Sequence, residues 1–226
     1  MANGPPVAPC KAAAASSKFL MRPVSSVSFI SWAIVTATSV LWRAAQKPMR
    51  DVMIAGGGRL ADVVRGAFRR HALGEEAAHW LCIRLLGVTA ELAHRLLPES
   101  VLLCRLEELR DGQDKGRVAI FESERFLRQE ETRPGAARLP HTWDVTSDSI
   151  AARLAEALSA RELVLLKSAL PAAGSSLASV AEAGMVDRCF PQAAARLPQV
   201  RVVNFRAEDF PQVIIGAPQA PTRTMT

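Results

Sequence analysis

The chain has 226 residues, and its 28 Lys and Arg against 22 Asp and Glu give a formal net charge of +6. Such an excess suggests a polyanionic partner, but it comes entirely from residues 1–50, which contain six basic residues and no acidic one. Residues 51–226 carry 22 basic and 22 acidic side chains. This balanced part is long enough to bury a substantial core, and it argues against a nucleic-acid partner.

The cysteines and histidines form no metal-binding pattern. Cys10, Cys82, Cys104 and Cys189 are far apart and include no Cys-x-x-Cys pair. They do not combine with the histidines at the spacing of zinc ligands. We therefore predict no metal site, reduced thiols and a cytoplasmic location.

Composition divides the chain into four parts. Residues 51–216 are the main domain. The flanking parts are a disordered segment at 1–22, rich in Ala, Pro and Ser, an atypical first strand and helix at 23–50, and a flexible tail at 217–226. The disorder is predicted because such segments cannot bury enough apolar surface to fold.

Residues 23–42 leave more than one interpretation open. They are uncharged and have the length of about 20 residues that a membrane helix needs. Their five Ser and two Thr argue against a membrane partner, so an anchor or a targeting segment is the minor alternative. The other interpretation is a buried strand from Phe29 to Val35, followed by a helix from about Thr38 to Gln46.

From Asp51 onward, short apolar runs alternate with helical periodicity. The runs predict strands at 52–55, 101–104, 118–121, 163–166 and 200–203. Between them we predict helices, chiefly at 60–68, 75–97 and 148–159, and an irregular loop at 129–146. This alternation indicates a layered α/β fold with a mostly parallel sheet. Ligands bind such folds at the carboxyl ends of the strands.

Three glycines follow the first of these strands. Gly56, Gly57 and Gly58 precede a helix, and glycines there leave backbone N–H groups open to an anion such as phosphate. The motif is neither the dinucleotide fingerprint nor a Walker loop. Because a tight strand-to-helix turn also selects glycine, a phosphate site and simple turn geometry both stay open.

A polar cluster precedes the helix at 148–159. Six of the eight residues from His141 to Asp148 are polar. Capping by Thr146 or Ser147, with Asp148 in the first turn, needs only one of them. Capping and a functional site are both consistent with the pattern.

A lysine ends the strand at 163–166. Lys167 is one of only two lysines after residue 50 in a chain whose basic residues are mostly arginine. An ammonium directly after a buried strand favours contact with phosphate over an ordinary surface role.

Together, these segments resemble the amino acid kinase family over roughly residues 50–206. Gly56-Gly57-Gly58 resembles its glycine-rich loop, and Thr146-Ser147-Asp148-Ser149 resembles its second signature. Leu166-Lys167-Ser168 and Val202-Val203-Asn204 are similar to strand ends on the nucleotide side.

The similarity extends to one branch of the family. The segments from Glu76 to Trp80 and from Pro140 to Ser149 look most like a compact branch that includes the aminomethylfuran phosphate kinase of methanofuran biosynthesis. The resemblance implies a carbamate-kinase-like fold, a three-layer α/β/α sandwich with a mostly parallel sheet.

The activity implied by the resemblance is transfer of the ATP γ-phosphoryl group to a small phosphate or carboxylate acceptor, in C1-cofactor biosynthesis. Mg²⁺ would be carried by the nucleotide. The catalytic residues would be Lys167 and Asp148, with Asp148 orienting cations. The phosphate and acceptor residues would be Gly56, Gly57, Gly58, His141, Trp143, Asp144, Thr146 and Ser147. The nucleotide residues would be Lys167, Ser168 and Asn204. The resemblance leaves a homo-oligomer open.

The sequence also departs from the family pattern. The family's first strand ends in a Lys-x-Gly-Gly-Ser motif, and residues 1–50 contain none. Leu170-Pro171-Ala172 stands where an Asp-Gly is expected, and no Gly-Thr accompanies Gly216. Two alternatives follow: a catalytically impaired relative that binds a phosphorylated metabolite or a partner subunit, or a kinase domain whose native start is not residues 1–50.

Overall fold

A computed structural model describes residues 32–36, 51–111, 117–134 and 138–216. The predicted disorder at 1–22, the helix at 38–46 and the tail at 217–226 lie outside these residues. The strands are β1 (Trp32–Thr36), β2 (Asp51–Ala55), β3 (Val101–Leu103), β4 (Ala119–Phe121), β5 (Glu162–Lys167), β6 (Val200–Asn204) and β7 (Gln212–Ile215). The helices are α1 (Gly58–His71), α2 (Glu75–Leu96), α3 (Leu106–Asp111), α4 (Glu124–Thr132), α5 (Ser147–Ala157), α6 (Leu177–Glu182) and α7 (Phe190–Ala193).

The strands form one sheet in the order β3-β4-β2-β1-β5-β6-β7. β4 is parallel to both β2 and β3, and β5 is parallel to β6. β1 is antiparallel to both of its neighbours, and β7 is antiparallel to β6. Five strands therefore run in one direction, which confirms the predicted α/β fold with a mostly parallel sheet.

β1 occupies the centre of the sheet and overlaps the predicted strand from Phe29 to Val35. Trp32, its first residue, pairs with Ala55 at the end of β2 and with Leu166 near the end of β5. Thr36, its last residue, pairs with the first residues of β2 and β5. β1 therefore ends at the edge of the sheet opposite the carboxyl ends of the parallel strands.

Buried residues of β2 belong to two apolar clusters, one on each face of the sheet. Val52 and Ile54 belong to the larger cluster, together with Ile150 and Leu154 of α5. Ala55 belongs to a smaller cluster with residues of α2 and β4. Successive side chains of a strand point to opposite faces, so β2 contributes to the core on both of its sides.

The structure corrects the sequence analysis at two points. α4 continues to Thr132, so the predicted loop at 129–146 begins four residues too early. The reason is tertiary packing: Phe126 and Leu127 are buried and anchor an otherwise polar helix. The sequence analysis missed β7, a strand of four residues that pairs with β6.

We predict that Gly216→Ala destabilises the fold more than Gly174→Ala. Both glycines have a positive φ, +70° and +77°, a conformation that costs about 1–2 kcal/mol for residues with a Cβ. A Cβ at Gly216 would also lie 2.8 Å from Cγ of Leu177, whereas Gly174 has open space. The free energy of unfolding, measured in urea, should fall by roughly 1–3 kcal/mol more for Gly216→Ala. Equal losses would contradict the role of Leu177.

Candidate functional site

The segments predicted to carry function meet at one edge of the sheet. Gly56 follows the end of β2, Lys167 ends β5, and Asn204 ends β6. Lys167 pairs directly with Asn204. Ala55 and Leu166 both pair with Trp32, so β1 separates the ends of β2 and β5. The backbone at the start of the glycine triplet therefore lies about two strand spacings, roughly 10 Å, from that of Lys167.

Lys167 and Asp148 form a largely buried ion pair at this edge. Nζ of Lys167 lies 2.7 Å from Oδ2 of Asp148, and their side chains are 15% and 6% exposed. Burial raises the pKa of Asp148, while the Lys167 ammonium acts in the opposite direction. Lys167 is the one lysine in the part of the chain that the structure describes. The pair fixes a single ammonium at the strand ends.

Asp187, which the sequence analysis missed, fixes the N-terminus of α5. Its Oδ2 accepts hydrogen bonds from the backbone N–H of Thr146 at 3.0 Å, from the Thr146 hydroxyl at 2.8 Å and from the N–H of Ser149 at 3.1 Å. Its Oδ1 accepts from the Ser149 hydroxyl and, at 3.1 Å, from the N–H of Cys189. A carboxylate is favourable there because of the helix dipole.

The predicted polar cluster is therefore largely used for helix capping. Thr146 is the N-cap, and its hydroxyl also accepts the N–H of Asp148 at 3.3 Å. Ser147 is buried. The N-terminus of α5 is thus already bound by the carboxylate of Asp187.

Within the described residues, the N-terminus of α1 shows no such capping by a carboxylate. Gly57 is its N-cap without a side-chain capping bond, and its first turn contains no acidic residue. Local geometry accounts for two of the three glycines, since Gly58 has a φ of +51° and a Cβ at Gly57 would lie 3.0 Å from Cβ of Ala61. The glycines thus serve the turn, and no acidic residue of the first turn of α1 opposes an anion there.

His141 ties the loop before α5 to α2 and α4. Its Nε2 lies 2.6 Å from Oε1 of Glu131, and its Nδ1 lies 3.5 Å from Oε1 of Glu76. Its ring stacks on His79 at 4.9 Å and meets Trp80 edge-on at 5.0 Å. Glu131 and His79 were not among the predicted site residues, because their relation to His141 depends on the tertiary fold.

The same loop contacts α1 through Trp143. Its ring meets Phe68 edge-on at 5.4 Å, and the guanidinium of Arg65 lies over it at 5.3 Å. Within the described residues, Nε1 of Trp143 is buried without a hydrogen-bond partner. Asp144 is exposed and lies 3.7 Å from Arg188. Trp143 and His141 therefore contact different helices.

The remaining predicted residues lie beside Lys167. Ser168 is exposed, and the Asn204 side chain accepts a hydrogen bond from the N–H of Arg206 at 3.0 Å. The N–H of Phe205 donates to the Lys167 carbonyl at 2.9 Å. Phe205 stacks on Phe210 at 5.5 Å, and both are partly exposed. The sequence analysis missed this aromatic pair.

No protein-family model matches the chain, and no curated protein matches it either. The resemblance to amino acid kinases therefore depends on the quoted motifs alone.

Two further findings concern metals and membranes. Among the described residues, no group of three or more His, Cys, Asp or Glu could hold a metal ion. None of the helices within the described ranges has both the length and the apolar character needed to cross a bilayer.

We predict that Asp187→Ala lowers the free energy of unfolding by roughly 2–4 kcal/mol. The change leaves buried donors of α5 without their acceptor, and bonds to charged groups are worth about 1.5–3 kcal/mol each. Asp62→Ala is the matched control, because Asp62 pairs with Arg65 on the exposed surface of α1. Urea denaturation should show a loss below about 1 kcal/mol for the control. Similar losses for the two variants would contradict the role of Asp187.

We also predict that acidification destabilises the His79–His141 contact. Burial lowers the pKa of His79 from its ordinary 6.5, and the nearby His141 lowers it further. The unfolded chain therefore binds a proton more readily, and stability falls as the pH drops from 6.5 toward the folded-state pKa. His79→Gln should reduce this loss in urea denaturation at about pH 7.5 and 5.5. His71→Gln is the control, and an unchanged pH dependence in His79→Gln would contradict the prediction.

Proposed function

We propose that the protein is an ATP-dependent phosphotransferase acting on a small phosphate or carboxylate acceptor. The observation that carries this proposal is the Lys167–Asp148 pair, with 2.7 Å between Nζ and Oδ2. The pair shares the carboxyl edge of the sheet with the open N-terminus of α1. A carbamate-kinase-like, three-layer arrangement is part of the proposal, and so is membership of the compact branch that acts in C1-cofactor biosynthesis.

The residues at this edge suit a transferring phosphoryl group. Its charge would be bound by the N–H groups at Gly56, Gly57 and Gly58, which lead into α1, a helix without an acidic residue in its first turn. Lys167 would neutralise phosphate charge from the other side. Positioning and charge neutralisation supply most of the catalysis in phosphoryl transfer, so the site needs no covalent nucleophile.

Asp148 would act by positioning Lys167. The Asp148 side chain is 6% exposed, so it orients the ammonium from the protein side and leaves the outer side of the ammonium to phosphate oxygens. ATP would supply the γ-phosphoryl group, with Mg²⁺ carried by its phosphates. Lys167, Ser168 and Asn204 would contact the nucleotide.

The acceptor would lie toward the loop before α5. Trp143 would exclude water, and its buried Nε1, which has no partner among the described residues, would donate to an acceptor oxygen. His141 and Asp144 would contact or cover the acceptor. Thr146 and Ser147 would shape the site through the cap of α5, since the hydroxyl of Thr146 is already bonded to Asp187.

A second candidate function is binding of a phosphorylated metabolite or a partner subunit without catalysis. The direction of β1 favours it. A lysine motif that follows the first strand can reach the site only if that strand ends at the site edge. Here Thr36, the last residue of β1, pairs with the first residues of β2 and β5. Lys167 would then act without a second lysine from the first strand.

The proposal predicts that Lys167→Gln and Asp148→Asn lower phosphoryl transfer by about 10²–10³-fold, as loss of a preorganised charge contact does. Transfer is measured with labelled ATP and a panel of small phosphomonoesters and carboxylates. Mg-ATP should raise the melting temperature of the unmodified protein. Arg196→Ala is the control, because it removes a cation whose side chain is 83% exposed.

The outcomes separate the two functions. A melting shift with Mg-ATP or with a phosphomonoester, but without transfer, would support the binding function. Neither shift nor transfer would overturn both. Melting curves of the variants without ligand show whether a lost activity reflects a lost fold.

A further inference from the structure

Helix α2 has apolar residues on its outer side as well as on the side that faces the sheet. Its buried side includes Ala78, Ile83, Leu86, Ala90 and Ala93. Its outer side exposes Leu81 by 40%, Val88 by 56%, Leu92 by 47% and Leu96 by 60%. Together with the half-buried Leu85, these four residues form what we call the outer stripe.

The outer stripe follows helical geometry. From Leu81 to Leu96, the steps between successive members are four, three, four and four residues, so the five side chains lie along one face of the helix. A contiguous exposed apolar surface of this kind marks an interaction site rather than the scattered exposure usual on a monomer. α1 packs beside α2 and adds two exposed residues, Leu60 at 40% and Val63 at 70%.

The stripe is nearly symmetric about Val88. Leu85 and Leu92 lie three and four residues from it, and Leu81 and Leu96 lie seven and eight residues from it. If a second α2 packs antiparallel with the two-fold axis at Val88, each leucine on one side of the axis meets a leucine of the other copy. A self-complementary patch is the requirement for an isologous two-fold interface.

Charge along one flank of the stripe fits the same axis. Arg84 precedes Val88 by four residues and Glu91 follows it by three. Their side chains are 63% and 55% exposed, and within the chain Arg84 lies 3.6 Å from Glu124 and Glu91 lies 2.7 Å from Arg95. Such exposed pairs contribute little to stability, so both groups can also reach a second copy. In the antiparallel arrangement, Arg84 of each copy faces Glu91 of the other. This pairing of opposite charges selects a second copy of the chain and sets the register.

The size of the surface is also adequate. α2, with 22 residues, is about 33 Å long, and α1, with 14 residues, is about 21 Å long. With a width of about 10 Å for each helix, the face measures roughly 540 Å² per copy. Two copies would therefore bury about 1,080 Å² in total, just above the approximately 1,000 Å² expected of a biological interface.

We propose that the chain forms a two-fold homodimer in which the outer stripes of two α2 helices pack antiparallel around Val88. The occupant of the stripe is a second copy of this chain, with Leu60 and Val63 of α1 at the border of the interface.

The first test is the mass of the full chain in solution, measured by sedimentation equilibrium from about 1 to 100 µM, a range that covers weak and strong dimers. The unmodified protein should be a dimer. Val88→Arg should be a folded monomer, because it places two like charges at the axis. Ile214→Arg is the matched control, because Ile214 is 45% exposed on β7, and it should leave the dimer intact.

The second test exchanges the flanking charges. Glu91→Arg and Arg84→Glu should each weaken the dimer by at least about tenfold, because like charges then face each other. The double variant should recover most of the affinity. A monomeric unmodified chain, a dimeric Val88→Arg, or a double variant as weak as the single variants would each overturn the proposal. Circular dichroism checks that every variant is folded.

Discussion

Asp187 places a negative charge at the N-terminus of α5, where the N–H and hydroxyl of the buried Ser149 would otherwise lack these partners. The same carboxylate binds Thr146, the N-cap of the helix. Asp148 lies two residues beyond the cap, and its direction toward Lys167 therefore depends on how the helix begins. The chain of contacts runs from Asp187 through the helix cap to Asp148 and ends at the ammonium of Lys167.

This dependence changes the meaning of the polar residues before α5. The sequence analysis noted more hydroxyls and carboxylates than one cap requires. In the structure, the additional hydroxyls bind a carboxylate inside the protein: those of Thr146 and Ser149 both donate hydrogen bonds to Asp187. The capping groups thus fix the start of α5, on which the position of Asp148 depends. At α1, by contrast, the N-cap is Gly57, which has no side chain to cap the helix, and the first turn contains no acidic residue.

Much of the fold could be predicted because residues 51–216 have strong periodicity. Apolar runs predicted the parallel strands, and the residues that follow them identified Gly56, Lys167 and Asn204 at one edge. Asp187 could not be found in this way, because it lies 38 residues after Ser149 in the chain and no spacing rule links them. The direction of β1 could not be predicted either, because a short apolar run has the same pattern in a parallel and in an antiparallel strand.

The inner face of α2 contacts the proposed site, and its outer face forms the proposed dimer interface. The two proposals can therefore be tested independently. On the inner side, Cδ2 of Leu86 would lie 3.6 Å from a Cβ at Gly57, and His79 stacks on His141. On the outer side, Val88 and Leu92 make up the stripe. A substitution at Val88 removes apolar surface from the outer face and leaves both inner contacts in place. Loss of the dimer should therefore leave the glycine turn and the loop of His141 intact.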